Sequence, residues 1–209
     1  MSRRIKIHSQ VDTLILVEGE DELYSLIPQI DCVFENVQLI VTGRNLRDEL
    51  VGLQVATNFD NIRNIGVILD AEQSTDATIK SVQTAFQRNN LPDPTQPYQI
   101  ADTHYTDLFI ICQNNEMGCF EDAFLDSLAE NDPKLACAKA FLACVDDPAR
   151  NDRWRSKVLV HSLIAASKQP SITLGESVKS NQWDWSQPSL KAIVDFIGSV
   201  ASGGQNDTT

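Results

Sequence analysis

Paired cysteines, long apolar runs and positive charge are all scarce in this sequence of 209 residues. The five cysteines form no Cys-x-x-Cys pair, which argues against a disulfide framework and against a zinc site. They are expected to be reduced, with most of them in the core. The apolar runs fall short of the roughly 18 residues that a membrane span requires, and no signal-peptide segment follows the basic start. We therefore expect a cytoplasmic protein with no membrane contact.

Negative charge dominates, because 29 Asp and Glu against 17 Lys and Arg leave a net charge of −12. This balance disfavours a broad attraction to nucleic acid, although a phosphate group could still bind through a metal ion. Basic residues gather only locally, as in the pair Arg44 and Arg47 and in the run of Arg150, Arg153, Arg155 and Lys157. The simplest interpretation of such a cluster is a solvated face.

Short apolar runs alternate with helical patterns in the first part of the chain. Strands are predicted over residues 13–17, 37–41 and 65–69, because uninterrupted apolar runs of this length are typical of strands buried on both faces. Helices are predicted over residues 20–30, from the Asn45 cap through Leu53, and from Ser74 or Thr75 to about residue 89. Such alternation predicts a parallel sheet with right-handed crossovers. Residues 98–101 and 108–112 are candidates for a fourth and a fifth strand.

The second half of the chain is predicted to be almost entirely helical. Its helices are expected over residues 120–128, 133–145, 154–167 and 189–200. The organisation expected is an α/β core over residues 1–130, a helical C-terminal extension packed on it over residues 131–201, and a disordered tail over residues 202–209.

Acidic residues follow two of the predicted strands. The first strand leads into Glu18-Gly19-Glu20-Asp21-Glu22, and the third leads into Asp70-Ala71-Glu72. Open parallel sheets bind ligands at the carboxyl ends of their strands, and converging carboxylates repel one another unless a cation such as Mg²⁺ neutralises them. Structural alternatives are a favourable interaction of the first group with a helix dipole and a turn cap at Asp70.

The segments LILVEGEDE and GVILDAE together resemble the signature of the toprim superfamily. That resemblance covers about residues 13–128 and implies a Rossmann-like, mainly parallel sheet flanked by helices. It also implies Mg²⁺ (or Mn²⁺) and chemistry on phosphodiester bonds. The nearest likeness is to small stand-alone toprim-like proteins that resemble the nuclease part of OLD-type (overcoming lysogenization defect) proteins.

Residue by residue, the resemblance implies a set of metal ligands. Glu18 matches the toprim Glu, Asp21 or Glu22 matches the second acidic position, and Asp70 matches the first Asp of Asp-x-Asp. Glu72 stands where the pattern has its second Asp, which departs from the family and puts a second metal position in question. Glu121 is a further candidate ligand.

Other matches lie around this set. Gly19 corresponds to the glycine that lets the turn pass close to the site, and residues 42–44 fall where the stand-alone proteins have a Gly followed by a basic residue. Lys157 is a candidate counterpart of the OLD-type Lys that stabilises charge on the phosphate; a surface Lys is the competing interpretation. Glu18, Asp70, Glu72 and Lys157 are thus the candidate catalytic residues.

Two functions from different classes remain open. The first is a metal-dependent nuclease acting on nucleic acid; the second is a catalytically altered toprim-like protein that binds metal, nucleotide or a protein partner in a regulatory role. The net charge and Glu72 favour the second. A receiver domain with Asp70 as phosphoacceptor is a weaker alternative, since the first strand ends in Glu-Gly where a receiver needs paired acidic residues.

Overall fold

A sheet of four parallel strands forms the centre of the protein in a computed structural model that describes residues 5–31, 33–43, 45–71, 74–96, 104–111, 118–145 and 149–204. The strands are β1 (Thr13–Val17), β2 (Val37–Val41), β3 (Asn64–Asp70) and β4 (Tyr105–Ile111), in the order β2-β1-β3-β4. Every pairing is parallel. The predicted α/β class with a parallel sheet is confirmed.

Helices flank the sheet and fill the C-terminal part. They are α1 (Glu20–Ile30), α2 (Leu46–Gln54), α3 (Thr75–Arg88), α4 (Phe120–Asp126), α5 (Pro133–Val145), α6 (Asp152–Ala165), α7 (Leu174–Lys179) and α8 (Pro188–Ala201), with a 3₁₀ turn over Phe59–Asn61. Asn45 caps α2 through its side chain, and Ser74 caps α3 in the same way. Both helices therefore begin where capping residues predict.

Each face of the sheet buries its own apolar layer, because alternate residues of a strand point to opposite faces. Leu14, Leu16 and Val67 pack with the apolar side chains of α2 and α3. Ile15, Val17 and Ile68 pack on the other face with residues of α1, α4 and the later helices. The C-terminal helices thus complete one wall of the core and hold α4 and α6 near the strand ends.

The structure departs from the sequence predictions in its details. β3 is one residue longer at each end than predicted, and β4 begins at Tyr105 instead of residue 108. The short helix α7 was not predicted; a capping box between Thr173 and Glu176 begins it. The tail predicted from residue 202 starts with turn residues 202–204. The predicted strand over 98–101, Cys112 and residues 205–209 lie outside the described part.

The prediction of core cysteines is right for Cys119 and wrong for Cys137 and Cys144. Cys119 lies at the buried start of α4, whereas the other two lie on exposed positions of α5. The apolar composition of α5 suggested burial, but much of its surface faces solvent. Across the described ranges, no helix is long and apolar enough to cross a membrane.

Candidate functional site

The carboxyl ends of β1 and β3 carry the first two acidic side chains of the site. The strands are neighbours, with Val17 paired to Ile68, so Glu18 and Asp70 follow at the same edge of the sheet. Asp70 is only 3% exposed, and the Glu18 side chain is 17% exposed. β1 and β3 are mostly apolar, and their carboxyl ends place Glu18 and Asp70 at a largely buried position.

Helices α1 and α4 bring two more carboxylates to this edge. Glu22 lies in the first turn of α1 and Glu121 in the first turn of α4, and both are buried. A Cβ atom at Gly19 would stand 2.8 Å from Oε2 of Glu22, so the turn after β1 passes close to this carboxylate. The negative charges of Glu22, Glu18 and Glu121 all act on Asp70. The four side chains form one cluster, called here the carboxylate cluster.

Helix α6 presents two cations to the carboxylate cluster. Nη2 of Arg153 lies 3.0 Å from Oδ2 of Asp70 and 3.5 Å from Oε1 of Glu18. Nζ of Lys157 lies 3.2 Å from Oε1 of Glu121. The two cations are four residues apart and so lie on the same face of the helix.

A further polar contact holds α6 in place. Oγ of Ser156 donates to Oδ1 of Asp122 at 2.5 Å, and the other carboxylate oxygen of Asp122 accepts from the Cys119 backbone at 2.7 Å. Asp122 therefore caps the start of α4 and anchors α6 at the same time. This contact fixes the helix that carries both cations against the helix that carries Glu121.

Asp70 is a buried carboxylate that accepts no hydrogen bond from the described part of the chain. The approach of Arg153 is an ion pair without hydrogen-bond alignment. Burial, the largest cause, and the charge of Glu22 raise the pKa of Asp70 from its ordinary 3.8 to about 8, even though the charge of Arg153 lowers it. A buried acceptor with no donor normally costs stability, so Asp70 needs a ligand or a proton.

Burial and neighbouring charges also shift the pKa values of Glu22 and Lys157. Burial raises the pKa of Glu22, a backbone hydrogen bond opposes it, and the charges of Glu18 and Glu121 add to the increase. Burial lowers the pKa of Lys157, but the charge of Glu121 and its hydrogen bond together outweigh burial, and the net change is upward. Lys157 is therefore a cation at neutral pH, suited to stabilise negative charge and unsuited to act as a base.

The chemistry of these side chains suits a divalent cation, but the distances between them in this structure do not. Carboxylate oxygens are the ligands that Mg²⁺ and Mn²⁺ prefer, and Asp70 has oxygen atoms without donors. Among the residues that the structure describes, however, no three His, Cys, Asp or Glu side chains stand close enough to hold a metal ion. The Arg153 guanidinium stands between Glu18 and Asp70, where it supplies the positive charge.

The structure brings most of the predicted site residues together. Glu18, Glu22, Asp70 and Glu121 form the carboxylate cluster, Lys157 pairs with Glu121, and Asp21 acts electrostatically on Glu22 and Lys157. Two predicted positions, Glu72 and Arg44, lie outside the described residues.

Sequence reasoning missed Arg153, Asp122 and Ser156. The available signal was the spacing of Arg153, Ser156 and Lys157, which places them on one helix face. The basic run of residues 150–157 is therefore not simply a solvated face. Arg153 and Lys157 meet the carboxylate cluster, whereas Arg155 pairs with Asp152 in the first turn of α6.

The fold and the site define an α/β protein with a cluster of ionisable side chains at the carboxyl edge of a parallel sheet. The chain belongs to the DUF3226 family of proteins of unknown function, whose sequence profile matches residues 12–202. That match runs from the start of β1 past the end of α8 and so includes the C-terminal helices. No curated protein and no solved structure matches this chain.

Proposed function

We propose that this protein is a toprim-type, divalent-metal-dependent enzyme that processes phosphodiester bonds, most simply a nuclease acting on nucleic acid. The observation that carries the proposal is Asp70: a carboxylate 3% exposed, at the carboxyl end of a central strand, with neither oxygen hydrogen-bonded in the described residues. Burying such a group is costly. A cation bound by several neighbouring carboxylates would offset this cost.

Glu18 and Asp70 are the residues that would hold the metal, with Glu22, Asp21 and Glu121 as further candidates. When bound, a divalent ion polarises a phosphoryl oxygen and lowers the pKa of an attacking water. Lys157 remains protonated beside Glu121 and can contact a non-bridging phosphate oxygen. Arg153 can exchange its ion pairs with the carboxylates for an ion pair with the same phosphate. These two roles concentrate positive charge where negative charge develops.

The second candidate is a toprim-like binding or regulatory protein without nuclease activity. The observation that favours it is Arg153, whose guanidinium already lies 3.0 Å from Asp70 and 3.5 Å from Glu18. A site that supplies its own counter-ion needs no metal to be stable. In that case the protein partner or nucleotide would bind the charged edge without bond cleavage.

The test is calorimetric titration of Mg²⁺ and Mn²⁺ into the wild type, Asp70→Asn, Glu18→Gln and the control Asp195→Asn. Asp195 is an exposed carboxylate of α8 paired with Lys191. We expect saturable binding to the wild type and the control, and none to the two site variants. Cleavage of labelled DNA and RNA oligonucleotides is measured in parallel with each ion. Metal binding without cleavage would favour the binding module, and equal metal binding by all four proteins would refute the assigned site.

A further inference from the structure

A groove with charged and apolar lining residues runs from the carboxylate cluster between α2 and α3. It has a volume of about 840 Å³ and reaches Glu18 and Asp70 at the strand ends. It opens toward the face of the sheet that α2 and α3 cover, whereas Arg153 and Lys157 approach the carboxylates from α6, whose buried residues pack on the other face. Glu18 and Asp70 therefore lie where two charged surfaces meet. This groove is called here the α2–α3 groove.

The charged residues that the described parts of α2 and α3 place in the α2–α3 groove are all cations. They are Arg47 of α2 and Lys80 and Arg88 of α3, and the acidic lining residues among the described positions are Glu18 and Asp70 at the strand ends. The structure gives none of the three cations an ion pair within its described ranges. The net charge of the chain is −12, so this local group of cations runs against the charge balance of the whole protein.

The cations are spread along the groove instead of converging on one point. Lys80, Thr84 and Arg88 recur at every fourth position and therefore form one row along α3. Lys80 and Arg88 are eight residues apart, which corresponds to about 12 Å along the helix axis. A single phosphate group cannot meet both ends of this row, whereas successive phosphates of a strand can.

The residues that line the α2–α3 groove also decide which part of a nucleic acid the groove can contact. No aromatic side chain lines the α2–α3 groove in the part of the chain that is described, so bases have nothing to stack on. Its volume is that of a small-ligand pocket, about 300–1,000 Å³, which is too small for a duplex. The chemistry that remains is charge and hydroxyl contact with a sugar–phosphate backbone.

We propose that the α2–α3 groove binds the sugar–phosphate backbone of a single-stranded nucleic acid, without reading its sequence, and leads it to Glu18 and Asp70. Arg47, Lys80 and Arg88 are the phosphate contacts. The proposal rests on the proposed function for the reaction at the strand ends, but strand binding itself requires neither metal nor cleavage.

The experiment measures fluorescence anisotropy of labelled single-stranded oligonucleotides in EDTA over a range of salt concentrations. The wild type is compared with the triple variant Arg47→Gln, Lys80→Gln, Arg88→Gln. The control is the triple variant Lys134→Gln, Lys139→Gln, Lys168→Gln, which removes the same charge from exposed positions away from the groove. Circular dichroism and thermal melting establish that each variant is folded.

We expect the groove variant to lose at least tenfold in affinity and the control to stay within about twofold of the wild type. The slope of log K against log salt is negative, and each phosphate contact with a single strand contributes about −0.7 to it. The slope of the groove variant, which lacks three contacts, should therefore be shallower than that of the wild type by about 2. Affinity should also be equal for homopolymeric and mixed sequences, because the groove contacts no base.

Three results would overturn the inference: no binding by the wild type, equal losses in both triple variants, or binding of a mononucleotide as tight as that of the oligonucleotide. Failure of the proposed function looks different. If calorimetry detects no metal while strand binding depends on the groove, catalysis fails and the groove stands. If metal binds but the groove variant binds strands like its control, the groove fails and the metal site stands.

Discussion

Replacing Asp70 with Asn should stabilise the metal-free protein, and increasingly so as the pH rises. Burial raises the pKa of Asp70 from 3.8 to about 8. In the unfolded chain this carboxyl loses its proton near pH 4, whereas in the folded protein it holds the proton up to about pH 8. Between these limits folding takes up a proton, so the stability that Asp70 contributes at low pH is lost as the pH rises.

The magnitude follows from the same difference. A pKa that differs by about four units corresponds to on the order of 5 kcal/mol, at about 1.4 kcal/mol per pKa unit. Burial also raises the pKa of Glu22, so part of the proton uptake on folding occurs at Glu22. The free-energy difference that belongs to Asp70 is smaller for this reason. We therefore expect Asp70→Asn to exceed the wild type by about 2–5 kcal/mol at pH 8 and by little near pH 4.

The assay is urea unfolding in EDTA at several pH values between 4 and 9, with Asp195→Asn as the control for loss of a surface carboxylate. Only the difference between variant and wild type is interpreted, since other groups titrate in both. A difference that grows with pH and levels off above about pH 8 supports the reasoning. If Asp70→Asn is less stable than the wild type by more than about 1 kcal/mol at pH 8, Asp70 is a structural partner of Arg153 and the reasoning is refuted.

Three further predictions concern the site and the packing around it. Arg153→Gln should raise the pKa of Asp70 above about 8, since the guanidinium lowers it; carboxyl NMR titration measures this, and Arg155→Gln should leave the value unchanged. Gly175→Ala should destabilise by about 1–3 kcal/mol, because its Cβ would stand 3.1 Å from the Tyr24 backbone carbon; urea unfolding decides, and no loss would contradict the packing of α7 on α1. Cleavage, if present, should be faster with Mn²⁺ than with Mg²⁺, and Glu72→Asp should raise the Mg²⁺ rate; a lower rate in that variant would contradict the interpretation of Glu72 as a displaced ligand.

The α/β class could be predicted because its signals are local. The runs at residues 13–17 and 37–41 are too short for helices and too apolar for exposed strands, and both became strands with the predicted bounds. Asn45 and Ser74 begin helices because a capping side chain bonds only to its own first turn. Strand ends were less certain, as at β4, because a strand's length depends on its neighbour, and β4 pairs with β3 along its whole length.

Part of the site could also be anticipated from the sequence. Glu18 and Asp70 directly follow apolar strands, and parallel strands of one sheet end at one edge, so their proximity follows from topology alone. Glu121 and Lys157 were identified through a resemblance, and the structure brings them together as an ion pair. No local pattern in the sequence could have shown that pair, since the two residues are 36 positions apart.

Local signals along the chain are sufficient to predict the parallel sheet, the helix starts and the carboxylates at the strand ends, because each depends on neighbouring residues or on a period along one element. Three features emerge only from the folded protein: α6 lies over this edge, Arg153 stands between Glu18 and Asp70, and Asp70 is too deeply buried to be solvated. Those features depend on how distant helices pack, and packing follows from the fit of whole apolar faces against one another, which no segment encodes alone.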